Sequence, residues 1–217
     1  MNSDNHTKPP TPIPENSLSK IVEVVRPIGT ALEINEALPG LVRHESTALL
    51  LDINNLFRRA QDNDFRLDYV KLRALFDQRC DLRYCSAFSA VDRQNVESAR
   101  WVSYMQNHGY SVISKDLKRY TNNKGDLVSK GNMDIEIAIA AMSLSEAFAH
   151  VIIGTCDGDF VPLIEKLREG HFRKVSVLGI TSPNWTGMSD TLIKAADNFY
   201  DMTAIKDHIS YVKKRDV

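Results

Sequence analysis

From residue 47 onward, short apolar runs of strand length alternate with segments of helical periodicity, and this alternation leaves few architectures open. Residues 47–53 form the first run, around Ala48-Leu49-Leu50-Leu51. Residues 67–76 follow with apolar side chains at Leu67, Val70, Leu72, Leu75 and Phe76, close to helical spacing. Residues 81–90 read as a strand and 92–107 as a helix stopped by His108-Gly109, where glycine takes the left-handed conformation of a C-cap. A strand over 110–114 precedes residues 115–129, which are polar, basic and rich in Asn and Gly, the composition of a loop. Asn132 is placed to cap a helix running to about Phe148, apolar on most sides and so expected to pack deep against a sheet. A short strand at 151–154, a helix at 159–169 with Pro162 in its first turn, a strand at 175–180, a helix at 186–196 and an extended piece at 199–200 complete the pattern. Strands that alternate with helices of this length imply βαβ units and a three-layer α/β/α sandwich on a mainly parallel sheet.

Several of these apolar runs border on aspartate. Asp52 ends the first; Asp157 and Asp159 follow Val151-Ile152-Ile153-Gly154; Asp134 opens the helix after Met133. A carboxylate at the end of a buried strand is poorly solvated, and several that converge repel one another unless a cation or shared protons neutralise them. In a parallel sheet, ligands bind beyond the carboxyl ends of the strands, where Asp52, Asp157 and Asp159 fall. Four acidic oxygen donors without His or Cys nearby suit Mg²⁺ or Mn²⁺ and disfavour zinc. Such ions polarise phosphodiesters and activate water, so metal-assisted hydrolysis of nucleic acid is the matching reaction class. Each acid also has a plainer reading. Asp159 can cap the helix at Phe160-Val161-Pro162, and Asp134 can favour its helix dipole.

Other chemistry is poorly supported. His44, His108, His150 and His171 fall at element ends or in loops, and carboxylates beside Cys156 would suppress its thiolate. There is no Walker A motif and no GxGxxG. A net charge of −1 supplies no global basic field, so any nucleic-acid contact is local. Arg58 and Arg59 follow the first acid, while Lys115, Lys118, Arg119, Tyr120 and Lys124 lead to Lys130, four residues before Asp134. This is a pattern that can hold phosphates and stack a base. Asn55 either orients water or phosphate or closes an Asx-turn.

The 217 residues, 43% hydrophobic, suit one substantial core. Residues 1–16 read as a disordered polar and Pro-rich tail, 17–45 as an extension of short helices packed on the domain or on a partner, 46–202 as the domain, and 203–217 as a helical or flexible tail. Three cysteines at no zinc spacing, no export signal and no apolar stretch of membrane-spanning length point to a reduced, cytoplasmic protein without a membrane.

Four blocks resemble one known family. Asp52-Ile53-Asn54-Asn55-Leu56 resembles the D-x-x-N-L opening of the NYN domain, a branch of the PIN-like nucleases. Lys130-Gly131-Asn132-Met133-Asp134-Ile135-Glu136-Ile137 resembles the K-G-[DN]-M-D-[IV]-E block of its bacterial LabA-like members. Thr155-Cys156-Asp157-Gly158-Asp159-Phe160-Val161-Pro162-Leu163 resembles S-G-D-[GS]-D-F-x-P-L, and Leu192, Ala196-Asp197 and Phe199 resemble the closing L-x-x-x-A-D-x-F. The resemblance implies a PIN-like fold and a ribonuclease that uses Mg²⁺ or Mn²⁺, with Asp52, Asp134, Asp157 and Asp159 as metal-binding and catalytic positions. Asn55, Arg58, Lys118, Arg119, Lys130 and Thr155 are the residues expected to hold RNA, single-stranded or structured. The alternative is a regulatory module that binds RNA or protein without cutting and uses residues 17–45 for a partner or for self-association. Two departures bear on that choice: Ala140 stands where LabA-like members carry a further Asp, and Thr155-Cys156 replaces Ser-Gly.

Overall fold

The computed structural model describes residues 31–211, apart from 93, 122–126, 145, 172–173 and 183–187. After a first helix, α1 (Ala31–Ala37), come β1 (Ser46–Asp52), α2 (Ile53–Asp62), α3 (Tyr69–Asp77), β2 (Asp81–Val91), α4 (Val96–Asn107) and β3 (Ser111–Asp116). A hairpin of β4 (Lys118–Thr121) and β5 (Leu127–Lys130) leads to α5 (Asp134–Leu144) and β6 (His150–Gly154). A 3-10 turn (Gly158–Phe160), α6 (Val161–His171), β7 (Lys174–Gly179), α7 (Asp190–Ala195), β8 (Asn198–Asp201) and α8 (Lys206–Ile209) follow.

Six strands form one sheet in the order β3-β2-β1-β6-β7-β8, and all of its pairings are parallel. Helices cover both sides, which makes the expected α/β/α sandwich. From β1 the chain builds outward through β2 and β3, then returns to β6 on the other flank of β1 and builds away from it. The order therefore reverses between β1 and β6, and a crevice opens beyond their carboxyl ends. The central strands bury both faces, so Leu49, Leu50, Leu51, Ile152, Ile153 and Val177 are fully inaccessible and read as continuous apolar runs. Gly154 ends β6 where a Cβ would lie 2.5 Å from a Leu51 methyl and 3.2 Å from one of Leu56. Its lack of a side chain lets α2 sit against the switch point.

Three local expectations change. The first strand stops at Asp52, and Ile53 is already helical, because Asp52 caps α2. The stretch read as a loop over 115–129 contains the end of β3 and the hairpin, with Lys118 opposite Lys130 and Tyr120 opposite Val128. Tyr120-Thr121 and Leu127-Val128 favour strands, and the interleaved charges hid that preference. Helix α5 ends at Leu144 and is not enclosed. Ile137 and Ala141 face the core, whereas Ile135, at 71% exposure, and Ile139 stand exposed. The helix packs chiefly on β1 and α6, and Glu136 reaches Lys115 of β3.

Both flanking segments add to the core. Ile34 and Leu38 are buried, and Lys174 Nζ donates to the Gly40 carbonyl. Met202, Ile205 and Ile209 are buried as well, and Asp68 N–H donates to the Ile209 carbonyl at 2.7 Å. No helix of the described residues is long and apolar enough to cross a membrane.

Candidate functional site

A cleft of about 490 Å³ lies at the switch point; Asp52, Arg58, Asn132, Asp134 and Asp157 are among the residues that line it. Each acid arrives there at the start of a helical element, Asp52 and Asp157 as caps and Asp134 as a first residue. Asp52, the last residue of β1, accepts the Asn55 N–H at 3.1 Å and so starts α2. Asp134 starts α5, where Asn132 accepts the Asp134 N–H at 2.7 Å and donates its amide to the Asp134 carboxylate at 2.6 Å. Asp157 accepts the Asp159 N–H at 3.0 Å and starts the 3-10 turn. Capping therefore falls to Asp52 and Asp157, whereas Asp159, read as a cap, donates its N–H to Asp157, and Asp134 opens a helix with its own N–H held by Asn132; Asp52, Asp134 and Asp157 nevertheless converge on one cleft.

The electrostatics record that convergence. Burial pushes the Asp52 carboxyl up to about 6; the Asn55 N–H opposes this, the charges of Asp134 and Asp157 add to it, and Arg58 relieves part. Asp134 is also raised, by burial first, with Asp157 and Asp159 adding and the Asn132 hydrogen bond and Lys115 opposing. Lys115 itself is engaged with Glu136 at 2.9 Å. The acids feel one another more than any cation.

The remaining expected residues separate into groups. Asp159 is exposed and lies outside the cleft lining, though its charge reaches Asp134. Thr155, expected to touch substrate, is completely buried, and its hydroxyl accepts the Asp157 N–H at 3.2 Å; it shapes the turn that presents Asp157. Asn55 lines the cleft while its side-chain carbonyl accepts the Cys156 N–H at 2.9 Å, which ties α2 to the end of β6. Arg58 lines the cleft from an exposed position. Lys118, Arg119 and Lys130 belong to the hairpin, whose backbone runs directly into Gly131 and Asn132, but their side chains lie outside the described residues. Ala140 packs against the core and does not line the cleft.

One contributor was missed in the sequence. Asn54 accepts the Ser89 hydroxyl at 2.9 Å and the Ala90 N–H at 3.0 Å, which pins the first turn of α2 to β2 as Asn55 pins it to β6. Its only signal was a second Asn beside the motif Asn. Cys156 is inert as expected, for a different leading reason: burial pushes its thiol up to about 11, ahead of the smaller contribution of Asp52.

Hard oxygen donors, with Asp52 and Asp134 both raised by burial and by acidic neighbours, fit a divalent cation of the Mg²⁺ type. Among the described residues no three His, Cys, Asp or Glu side chains close on a single point. A cation at this site would therefore be held through intervening water by some of these carboxylates, as Mg²⁺, which sheds water reluctantly, commonly is.

A model of the NYN domain matches residues 46–204. The chain belongs to the NYN domain family. The PIN-like nuclease resemblance carried by the four motif blocks thus covers most of its length. It is similar to the protein named low amplitude and bright protein LabA of Synechococcus elongatus, 25% identical over 177 residues that make up 79% of this chain and 91% of that one. The crystal structure of a Vibrio parahaemolyticus protein of unknown function superposes with a TM-score of 0.65 at 24% identity, over 77% of this chain and 96% of that one, and shows the same fold.

Proposed function

We propose that this NYN domain is a divalent-metal-dependent ribonuclease that hydrolyses RNA phosphodiesters at the switch-point cleft. The observation that carries the reading is Asp52, buried with its pKa raised to about 6 and facing the charges of Asp134 and Asp157. A fold that leaves carboxylates together without a matching cation spends stability that a bound divalent ion restores. Asp52, Asp134 and Asp157 would hold Mg²⁺ or Mn²⁺ directly or through water, with Asp159 at the rim. When bound, the ion supplies charge for the phosphodiester oxygens and acidifies a water. Arg58 would neutralise the phosphate, Asn55 would offer mainly its amide N–H groups because its carbonyl is engaged, and Lys118, Arg119 and Lys130 of the hairpin would grip the backbone. The protein would work in the cytoplasm.

A second reading, an RNA- or protein-binding module that does not cut, is favoured by the lack of three closing ligands among the described residues and by Ala140. Its partner surface would be residues 17–45, of which α1 already turns Ile34 into the core.

The experiment is cleavage of end-labelled single-stranded RNA in Mn²⁺, in Mg²⁺ and in EDTA, beside an Asp52→Asn/Asp157→Asn protein. Metal-dependent cutting lost in the variant supports the nuclease. Folded wild type that cuts none of several RNAs leaves the binding module.

A further inference from the structure

We infer that Phe57 forms a base-stacking subsite at the rim of the cleft and makes the site selective for unpaired nucleotides. The inference rests on the RNA reading above and goes further by naming a residue, a ligand part and a strand preference.

Single exposed apolar residues are ordinary on protein surfaces, so exposure alone says little. Position distinguishes this one. Helix α2 turns Ile53, Leu56 and Ala60 into the core. Asn54 and Gln61, three residues before and four after Phe57, line the cleft; Phe57 is not itself part of that lining and stands beside them on the flank of the helix, at the margin of the cleft. Its ring is nevertheless 51% exposed, left out of the core that three neighbours on the same helix enter. Arg58, the next residue, lines the cleft, and its charge acts on Asp52. Consecutive helical residues diverge by about 100°. A phosphate drawn by Arg58 toward the acids would therefore leave its base directed along the adjoining face, where the phenyl ring stands.

The chemistry then selects the strand. An aromatic ring can take a nucleobase only by its π-face. In a duplex those faces are covered by the neighbouring pairs, whereas an unpaired base offers one at no unstacking cost. Stacking is tolerant of sequence, so the subsite should discriminate paired from unpaired RNA without reading base identity. Asn54 strengthens the platform: by holding the first turn of α2 to Ser89 and Ala90 it fixes where the ring stands.

The test uses the full chain carrying Asp157→Asn to suppress cleavage, with Mn²⁺ present, and measures by fluorescence anisotropy the binding of a labelled single-stranded oligoribonucleotide and of the same sequence annealed to its complement. Phe57→Ala should weaken the single strand by about five- to a hundredfold and leave the duplex unchanged, with Phe57→Tyr restoring the parent value. In a scan of single abasic positions, one position should cost the parent protein a similar factor and cost Phe57→Ala nothing. The side chain is half exposed, so the variant should melt with the parent. Equal affinity of parent and Phe57→Ala for the single strand, or equal losses on single strand and duplex, would overturn the stacking subsite while leaving the RNA reading intact. No binding of any RNA by the folded parent would instead remove the RNA reading and this subsite with it.

Discussion

At the carboxyl end of the sheet Asp52 is buried among other carboxylates, whereas at the amino end the equally buried His150 is held uncharged, its Nδ1 without a hydrogen-bond partner among the described residues. His150 Nε2 meets the Ser176 hydroxyl at 2.8 Å, and Lys174 pairs with Glu45 beside it. Burial first, and then the Lys174 charge, push the imidazole down to about 3, so it stays neutral and no charge goes unmatched. The two ends share depth, strands and polar content. They differ in charge: the amino end holds a neutral imidazole beside the paired Lys174 and Glu45, while the cleft gathers carboxylates that Arg58 relieves only in part and that a bound cation would balance.

The largest test of that difference is catalytic. Asp157→Asn removes one cleft carboxylate and should lower metal-dependent RNA cleavage by about a thousandfold, the equivalent of several kcal/mol of transition-state stabilisation, read as single-turnover rates.

Stability should move in opposite directions at the two ends. Asn caps a helix as well as Asp does, so Asp52→Asn keeps the start of α2 while deleting a carboxylate whose pKa stands about two units too high. In EDTA at pH 7.5 the variant should gain on the order of 2 to 3 kcal/mol in urea unfolding, and it should no longer gain from millimolar Mn²⁺. A loss of stability in EDTA would show that the cleft is balanced internally after all. Lys174→Ala should do the reverse and cost about 1 to 2 kcal/mol by leaving Glu45 without its partner.

The pH dependence isolates His150. Its folded pKa, about 3, lies below the ordinary 6.5 of an unfolded histidine, so between those values the unfolded chain binds more protons. Its contribution is fully present above pH 6.5 and is lost as pH falls toward 3, about 2 kcal/mol of it by pH 5. Asp52, raised to about 6, titrates in the same window with the opposite sign, so urea midpoints from pH 7 to 5 should show that slope in Asp52→Asn, and adding His150→Gln should flatten it. The smallest expected effect belongs to Asn54→Ala, which leaves the buried Ala90 N–H unpaired and should cost about 1 kcal/mol. RNA cleavage should fall with it more than that cost explains if the first turn of α2 positions the site.

Much of the fold was legible because strands buried on both faces must be apolar throughout, as Leu49-Leu50-Leu51 and Val151-Ile152-Ile153 are. The acids were legible for a related reason: a carboxylate at the edge of such a run stands out against its desolvated surroundings. The hairpin was not, because Lys118, Arg119 and Lys130 dilute a strand signal that pairing alone completes. The exposure of Ile135 and Ile139 on α5 was not, because an all-apolar sequence does not say which faces neighbours will cover. Thr155 was misjudged because a hydroxyl in a motif looks alike whether it faces substrate or its own backbone.

Local patterns of polarity and spacing were enough for the layer architecture, for the places of Asp52, Asp134, Asp157 and Asp159 along the chain, and for membership of the NYN family. Only the tertiary structure decided that β1 lies between β2 and β6, that Asp52, Asp134 and Asp157 share one cleft while Asp159 stands outside it, and that Asn54 and Asn55 clamp α2 to both neighbouring strands. Those outcomes depend on contacts between residues as much as 101 positions apart, as between Asn55 and Cys156, and their energies belong to pairs that no local window contains.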